Sequence, residues 1–405
     1  MNLLFLSPGF PLEMPQFVAA LAALGARPFG IGEQPRGALP PPAAAALHDY
    51  VQVASLWDER EVLAAARHVA ESRRIERVEC LWEPGVVLAA RLREALDLPG
   101  MRVEQALDFR DKERMKRVLD RAGLRTPCHA RATTVGECRA AAERIGYPLI
   151  VKPIAGAGSA DTHRVDDAQE LERVLRAVQH VAEVSVEEFI DGEEFTFDTI
   201  CARGQILYAN VSWYRPRPLL GRSIEWISPQ TVALRRPDVP PLRGGIELGK
   251  SVLAALGFDE GFSHMEWFRT PAGEPVFGEI AARPPGAVSV PLMAHSAGID
   301  PYRAWAEAIC RGTLEQPEAR RYNAAVIFKR AQGEGRIRRV EGLERLVARY
   351  RPHVVEVDLL PPGAPRRDWK QTLLSDGHVI VRHPDLSATL EIADRFATDL
   401  RLFAG

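Results

Sequence analysis

No stretch of this sequence reaches the ~18 apolar residues that cross a bilayer as a helix, so it offers no membrane-spanning segment. Five cysteines, Cys80, Cys128, Cys138, Cys201 and Cys310, lie far apart with no CxxC or Cys/His spacing. That excludes the common zinc-site spacings and a disulfide framework, and reads as thiols in a reducing compartment. Two phosphate-binding signatures are also missing. No GxGxxG follows the first apolar run, which argues against dinucleotide binding there, and no GKS or GKT stands at Walker A spacing. Neither charge sign is in excess: 52 Lys and Arg face 54 Asp and Glu, a formal net charge of -2. The chain therefore has no general electrostatic attraction for nucleic acid or an anionic membrane. The opening run Met1–Leu6 is apolar but has no basic residue and leads into Ser7-Pro8-Gly9. It reads as a buried strand and not a signal peptide, and a cytoplasmic protein is expected.

What is present is an ordinary globular composition, 46% hydrophobic and 26% charged over 405 residues, long enough for two or three lobes. Strand and helix patterns alternate from the start. The run 2–6 is followed by a helix from Gln16 to Leu24 that Gly25 ends, then a strand from Pro28 to Ile31. A helix capped by Asp58, a strand at 78–81 and a helix from Val86 to Leu96 complete the alternation. This predicts a small parallel α/β lobe over residues 1–105. Residues 111–122 read as a helix with Met115, Val118, Leu119 and Ala122 on one face. From Tyr147 to Val186 the order is strand, glycine turn, strand, helix, strand. Strand-rich segments continue to Ile280, a strand resumes at 324–329, and a helix from Leu386 to Phe403 closes the chain.

Four segments carry groups suited to a polyphosphate. Lys112 stands at a predicted helix start, where unpaired N–H groups and the helix dipole favour an anion. Lys152 ends the apolar run Leu149–Val151 and precedes Ile154-Ala155-Gly156-Ala157-Gly158-Ser159-Ala160, whose small residues let backbone approach phosphate closely. The run Val186-Glu187-Glu188-Phe189-Ile190-Asp191-Gly192-Glu193-Glu194 places backbone groups beside acidic side chains at a turn, as a hinge reading an adenine edge would need. Taken singly, each has a plainer reading: a surface lysine, a hairpin turn, a solvated acidic hairpin. The fourth segment is a predicted hairpin, with Glu266 in His264–Phe268 and Glu279 in Phe277–Arg283 across the turn Arg269–Pro275. Two carboxylates brought side by side repel unless a proton or cation lies between them, and Mg²⁺ takes such hard oxygen ligands together with phosphate and water. Arg283 supplies a guanidinium fork for a phosphoryl oxygen.

In the order of these segments the sequence resembles the ATP-grasp superfamily, and within it the carboxylate–amine ligases, including the L-amino acid ligases. The residues carrying the resemblance are Asp111-Lys112, Val151-Lys152-Pro153 with residues 156–160, Glu187 to Glu194, and Glu266 with Glu279-Ile280-Ala281-Ala282-Arg283. The resemblance implies a multi-lobe α/β (α+β) ATP-grasp fold: a Rossmann-like lobe 1–105, an ATP-grasp domain 106–312 with a mobile subdomain 125–190, and a β-rich C-terminal lobe 313–405. It implies that Lys112 and Lys152 contact ATP phosphates under a loop containing Gly158 and Ser159. Glu187 and the backbone of Phe189 and Ile190 would read adenine, and Glu194 would hold ribose. Glu266 and Glu279 would bind Mg²⁺, for which Mn²⁺ can substitute, and Arg283 and Lys152 would be catalytic. An Asn often follows the second Glu by two places; here that residue is Ala281. Candidate substrate contacts are His264, Pro285, Gly286, Trp213 and Arg215, the last two within an aromatic and basic stretch that includes Trp226. The expected activity is ATP-dependent joining of a small carboxylate, such as an amino acid, to an amine through an acyl phosphate. A homodimer is compatible with this reading. Rival readings are a carboxylase-type enzyme that phosphorylates bicarbonate and a non-catalytic nucleotide-binding module.

Overall fold

The computed structural model describes residues 1–155 and 161–405, and among these eighteen strands form four sheets. The apolar opening run becomes β1 (Asn2–Leu6). It joins β2 (Arg27–Gly32), β3 (Asp49–Gln52) and β4 (Arg77–Glu79) in a parallel sheet of order β3-β2-β1-β4. Leu3 to Leu6 are buried, as a strand paired on both edges and covered on both faces requires. The intervening helices start and stop where the sequence says they should. Asp58 accepts the free N–H groups of Arg60 and Glu61, and Gly25 takes a left-handed φ of 82° after the helix Met14–Ala23.

A second sheet holds β5 (His129–Ala132), β6 (Leu149–Pro153), β7 (His163–Val165) and β8 (Val184–Glu188), antiparallel in the order β5-β8-β6-β7. Its strand, strand, helix, strand order is the one expected from the sequence, and the glycines of the expected turn, Gly156 and Gly158, lie outside the described residues. The central sheet is antiparallel and larger. It contains β9 (Glu193–Ala202), β10 (Gln205–Arg215), β11 (Gln230–Ala233), β12 (Gly261–Arg269), β13 (Pro275–Ala281) and β14 (Asn323–Phe328). After β15 (Ile337–Glu341), which pairs with β18 (Arg401–Ala404) in a two-stranded sheet, β16 (Val354–Leu359) and β17 (Gly377–His383) return to it. The order is β13-β12-β9-β10-β11-β14-β17-β16, so three strands from beyond residue 312 extend the same sheet that carries the carboxylate hairpin.

Alternation along β9, β10 and β12 divides that sheet into two faces. Phe195, Phe197, Val211, Met265 and Trp267 point into the main core. On the other face Ile200, Ala202, Tyr208 and Phe262 pack against Phe17 and Trp305 beside the first sheet, with Phe17 at 5.3 Å from Trp305 and 6.4 Å from Phe262 between ring centroids. Farther along that same face the residues are polar: Glu194, Thr196, Asp198, Ser212, Tyr214, His264 and Glu266. The apolar half docks the N-terminal sheet, which leaves the polar half as one wall of a cleft.

Two local expectations fail. The segment before Ile280 is not all strand: Pro240–Ala255 is a helix, packed on β12 and β13. Its sequence, with two Pro at the start and Gly244, Gly245 and Gly249 within, has poor helix propensity, which tertiary packing overrides. The glycines have a packing reason, because a Cβ on Gly245 would lie inside the Trp267 indole and one on Gly249 would overlap Phe197. The final helix also stops early, at Asp399, and residues 401–404 extend to pair with β15.

Gly245→Ala should therefore destabilise the protein by about 1–2 kcal/mol, since overpacking outweighs the ~1 kcal/mol gain in helix propensity. Urea unfolding followed by circular dichroism measures this, and a stabilised variant would contradict the close packing.

Candidate active site

The hairpin β12–β13 is closed by Thr270–Gly273, with Gly273 donating to the Thr270 carbonyl at a φ of 85°. From Arg269↔Pro275 to Trp267↔Phe277 the register is simple, and continued unchanged it would set Glu266 against Gly278. Instead a bulge falls at Gly278, and Glu266 pairs with Glu279. One extra residue moves every following side chain to the opposite face. Glu279 thereby shares the cleft with Glu266. The position tolerates only glycine, because a Cβ there would stand 2.8 Å from the Glu266 carbonyl oxygen.

The cleft has a volume of about 850 Å³ and runs from the second sheet, past this hairpin, to the N-terminal sheet and the C-terminal segment. Lys112, Lys152 and Arg283 in it are held by internal carboxylates. Lys112, the first residue of the helix Lys112–Arg121, lies 3.0 Å from Glu279, and Asp111 caps the helix by accepting from Glu113 and Arg114. Lys152 at the end of β6 lies 2.9 Å from Glu187 on β8, whose other oxygen is 2.5 Å from Lys116. Lys116 is four residues beyond Lys112 and so shares its helix face. Lys112, Lys116 and Glu187 are buried, the Lys152 side chain is 14% exposed, and the charges act on one another. Burial opposes ionisation of Glu187, but the two ammonium groups more than offset it and hold the carboxyl well below the usual range. Lys152 is driven the other way from the burial penalty, above an ordinary lysine, by Glu187 and more distantly Glu279 and Glu266. For Lys116 burial wins and its pKa falls.

Arg283, beyond the end of β13, donates to Glu83 through Nε at 2.8 Å and Nη2 at 2.6 Å. Glu83 is buried and also pairs with Arg110, which donates to the Ala155 carbonyl at 3.1 Å. His264 Nδ1 lies 2.6 Å from Asp198, and Nε2 3.6 Å from Glu266. Burial disfavours its charge, yet the bonds to Asp198 and Glu266 push its pKa up to about 9, so it stands as an imidazolium at neutral pH. Tyr214 donates to Glu266 at 3.2 Å. Burial, with the nearby charge of Glu266, pushes the Glu194 carboxyl up to about 8 although Arg217 lies 3.5 Å away.

The structure brings together Lys112, Lys152, Glu187, Ile190, Glu194, His264, Glu266, Glu279, Arg283, Pro285 and Gly286 around this cleft. The Phe189 ring lies under the guanidinium groups of Arg164 and Arg217, at 4.2 and 4.8 Å. Gly158 and Ser159 lie outside the described residues. Trp213 and Arg215 are misplaced by the sequence reading. Both point off the opposite face of β10: Trp213 stacks on Phe195 at 6.1 Å, and Arg215 pairs with Asp394 at 3.2 Å. The period-2 alternation puts Tyr214 into the cleft in their place, followed by Pro216 and Arg217. Trp226 is 83% exposed and does not line the cleft. Sequence reasoning passed over Glu83, Lys116 and Asp198, and it held Tyr214 and Arg217 within the aromatic and basic stretch while singling out their neighbours Trp213 and Arg215. Glu83 follows β4, past the carboxyl end of a parallel sheet where such folds bind ligands, and that position was a usable signal.

The donor set suits one divalent cation. Two carboxylates face each other across strands, and among the described residues no cluster of three or more His, Cys, Asp or Glu could complete a protein-only cage. With Ala281 at the position where a third side chain could reach in, water and phosphate oxygens would fill the remaining coordination, the pattern Mg²⁺ favours.

Comparison with known proteins agrees with this geometry. Residues 109–213 match the family model of the ATP-grasp domain. An L-amino acid ligase from Bacillus licheniformis superposes with a TM-score of 0.80 at 23% identity, over 100% of this chain and 99% of that one. N5-carboxyaminoimidazole ribonucleotide synthetase from Thermotoga maritima gives 0.72 at 17% identity, with the same coverage. The chain has the multi-lobe α/β ATP-grasp fold. In sequence it resembles the carboxylate–amine ligases of that superfamily. It is 30% identical over 208 residues to the L-arginine-specific L-amino acid ligase of Bacillus subtilis, covering 50% of this chain and 49% of the relative. It is 28% identical over 280 residues to alanine–anticapsin ligase of Bacillus subtilis strain 168, covering 63% and 58%. The matched regions thus span about half the length of these curated relatives.

Because the folded-state pKa of Glu187 is depressed, the stability it contributes is present above about pH 4.5 and is lost as pH falls below that. Glu187→Gln should cost about 3–5 kcal/mol at pH 7, where it strands two buried ammonium groups, and clearly less at acid pH. Denaturant titrations at pH 7 and pH 3.5 test this; an equal deficit at both would remove the ion-paired carboxylate from the account.

Proposed function

We propose that the protein is an ATP-dependent ligase that converts a small carboxylate, such as that of an amino acid, to an acyl phosphate and passes the acyl group to an amine, releasing ADP and phosphate. The observation that carries this is the cross-strand pair Glu266 and Glu279, aligned by the Gly278 bulge in a cleft with Lys112, Lys152 and Arg283. A structural or sensing module has no need of two facing carboxylates among fixed cations.

The roles follow from position. Lys152 and Lys112 neutralise phosphate charge, and their internal carboxylates hold them in place before the nucleotide arrives. Bound between Glu266 and Glu279, magnesium would neutralise the phosphates and orient the transferred group. Ile190 and the buried carboxyl of Glu194 lie beside Lys152 in the cleft, where the adenosine end would sit. Glu187 meets two ammonium groups through its side chain, so its part is to position Lys152, and adenine recognition in this strand falls to backbone. Arg283 steadies the phosphoryl oxygens during in-line attack by the carboxylate and then the acyl phosphate. His264, held as a cation by Asp198, faces the same space and stabilises the developing oxyanion when the amine attacks. The wall formed by Pro285, Gly286 and the C-terminal segment keeps water from the acyl phosphate.

The sequence relatives named above are amino acid ligases, which favours an amine acceptor over the bicarbonate chemistry of other proteins sharing this fold. With ATP, magnesium and a panel of amino acids, hydroxylamine in place of the amine should trap a hydroxamate. Glu279→Gln should lower ADP release at least 100-fold (~2.7 kcal/mol) with the melting curve retained. Unchanged turnover would overturn the metal assignment, and ATP turnover stimulated by bicarbonate alone would favour the carboxylase reading. Gly278→Ala, which forces the bulge open, should cut Mg-nucleotide affinity at least tenfold by calorimetry; wild-type affinity would show that the bulge does not set the carboxylate pair.

A further inference from the structure

Charge in the cleft is balanced at one end and unbalanced at the other. Lys112, Lys152 and Arg283 each have a carboxylate partner, at 3.0, 2.9 and 2.6 Å, and Arg217 lies 3.5 Å from the Glu194 carboxyl. Arg222, Arg330 and Lys370 line the same cavity, and among the described residues none of the three has a carboxylate within 4.0 Å. The two arginines are fixed by uncharged groups instead. Arg330 donates to the Ile224 carbonyl at 2.9 Å and lies 4.5 Å over the Trp369 ring, and Arg222 donates to the Lys370 carbonyl. Glu225, whose charge Arg330 feels, is paired with Arg366, and Asp376 accepts from the backbone N–H groups of Ala331 and Arg367. Burial pushes Arg330 down to about 10, and the charge of Arg222 adds to the shift. Burial lowers Arg222 too.

Two half-buried guanidinium groups that repel each other and hold no counter-ion are costly unless an anion is received there. The segment 370–375, which contributes Lys370 and whose Lys370 carbonyl accepts from Arg222, reaches the loop after Arg283, since Leu373 lies where a Cβ on Gly286 would make van der Waals contact, at 3.4 Å. The triphosphate already has Lys112 and Lys152 at the other side of the hairpin, which leaves the patch to a substrate.

We propose that Arg222 and Arg330, with Lys370 at the rim, form an anion subsite, and that the amine substrate carries a dianionic end, two carboxylates or one phosphate, that this subsite receives. The existence of the subsite stands apart from the ligase reading; only the assignment of the anion to the amine rests on it.

Calorimetric titration of the full chain without nucleotide separates the possibilities, with glutarate and phosphoethanolamine as dianionic probes and butyrate as the monoanion. One dianion should bind at least tenfold tighter than butyrate, and the stronger one identifies carboxylate or phosphate. Arg330→Met and, independently, Arg222→Met should reduce that affinity at least tenfold, while Arg330→Lys, which keeps the charge, should retain most of it. Equal binding of butyrate and both dianions, or no effect in both Met variants with melting curves intact, would overturn the subsite. Loss of dianion binding under saturating MgADP would assign the patch to the nucleotide phosphates and overturn the substrate role. In turnover, the ratio of kcat/KM for glutamate over glutamine as amine should fall at least tenfold in Arg330→Met. If wild-type protein releases ADP with no acid and amine pair, the ligase reading fails while the titration still decides the subsite.

Discussion

Two carboxylates share one wall of the cleft because a single residue interrupts the ladder between β12 and β13. Lys112 and Lys152 hold the Glu279 carboxyl below its usual range despite burial, and the backbone enforces the pairing with Glu266 through the Gly278 bulge, packed against the Glu266 carbonyl. That constraint is what the proposed cation site rests on. Around it, Lys112, Lys152 and Arg283 each have an internal counter-ion: Glu279, Glu187 and Glu83 in turn. A buried charge without a partner would either lose its charge or disrupt the fold, so these pairs keep the cations ionised in place. The site is organised before any ligand arrives.

The pairs also join elements far apart in the chain. Glu83 comes from the N-terminal sheet and grips Arg283 from the central one, while Arg110 links the same carboxylate to the Ala155 carbonyl beside the segment that follows Lys152. Glu187 joins β8 and β6 to the helix Lys112–Arg121. Docking of the first sheet on the apolar half of the central sheet brings Glu83 within reach. One sheet face is therefore apolar where it meets the N-terminal sheet and polar where it meets solvent and ligand.

Much of this was readable in advance. The α/β alternation, the strand order of residues 147–186, the cap at Asp58, and the hairpin bearing Glu266 and Glu279 are local patterns, encoded in periodicity and turn residues. The helix Pro240–Ala255 was not, because its glycines follow close packing on Trp267 and Phe197 and not helix propensity. Trp213 and Arg215 were chosen for residue type, but the direction of a strand side chain depends on which face is buried. That is known only once β9, β10 and β12 are aligned, and it favours Tyr214.

The sequence by itself determined the kinds of groups available and the order in which the chain presents them: lysines after a cap and after a strand, acids around turns, an arginine beyond a second strand. Local physical chemistry suffices for that, since capping, alternation and turn formation act over a few residues. Only the tertiary structure decided which charges meet. The partnership of Glu83 with Arg283, the sharing of Glu187 by two lysines, and the lack, among the described residues, of a carboxylate within 4.0 Å of Arg222 or Arg330 depend on how sheets pack. Electrostatic pairing requires approach to within a few ångströms, and for residues 200 positions apart no local rule sets that distance.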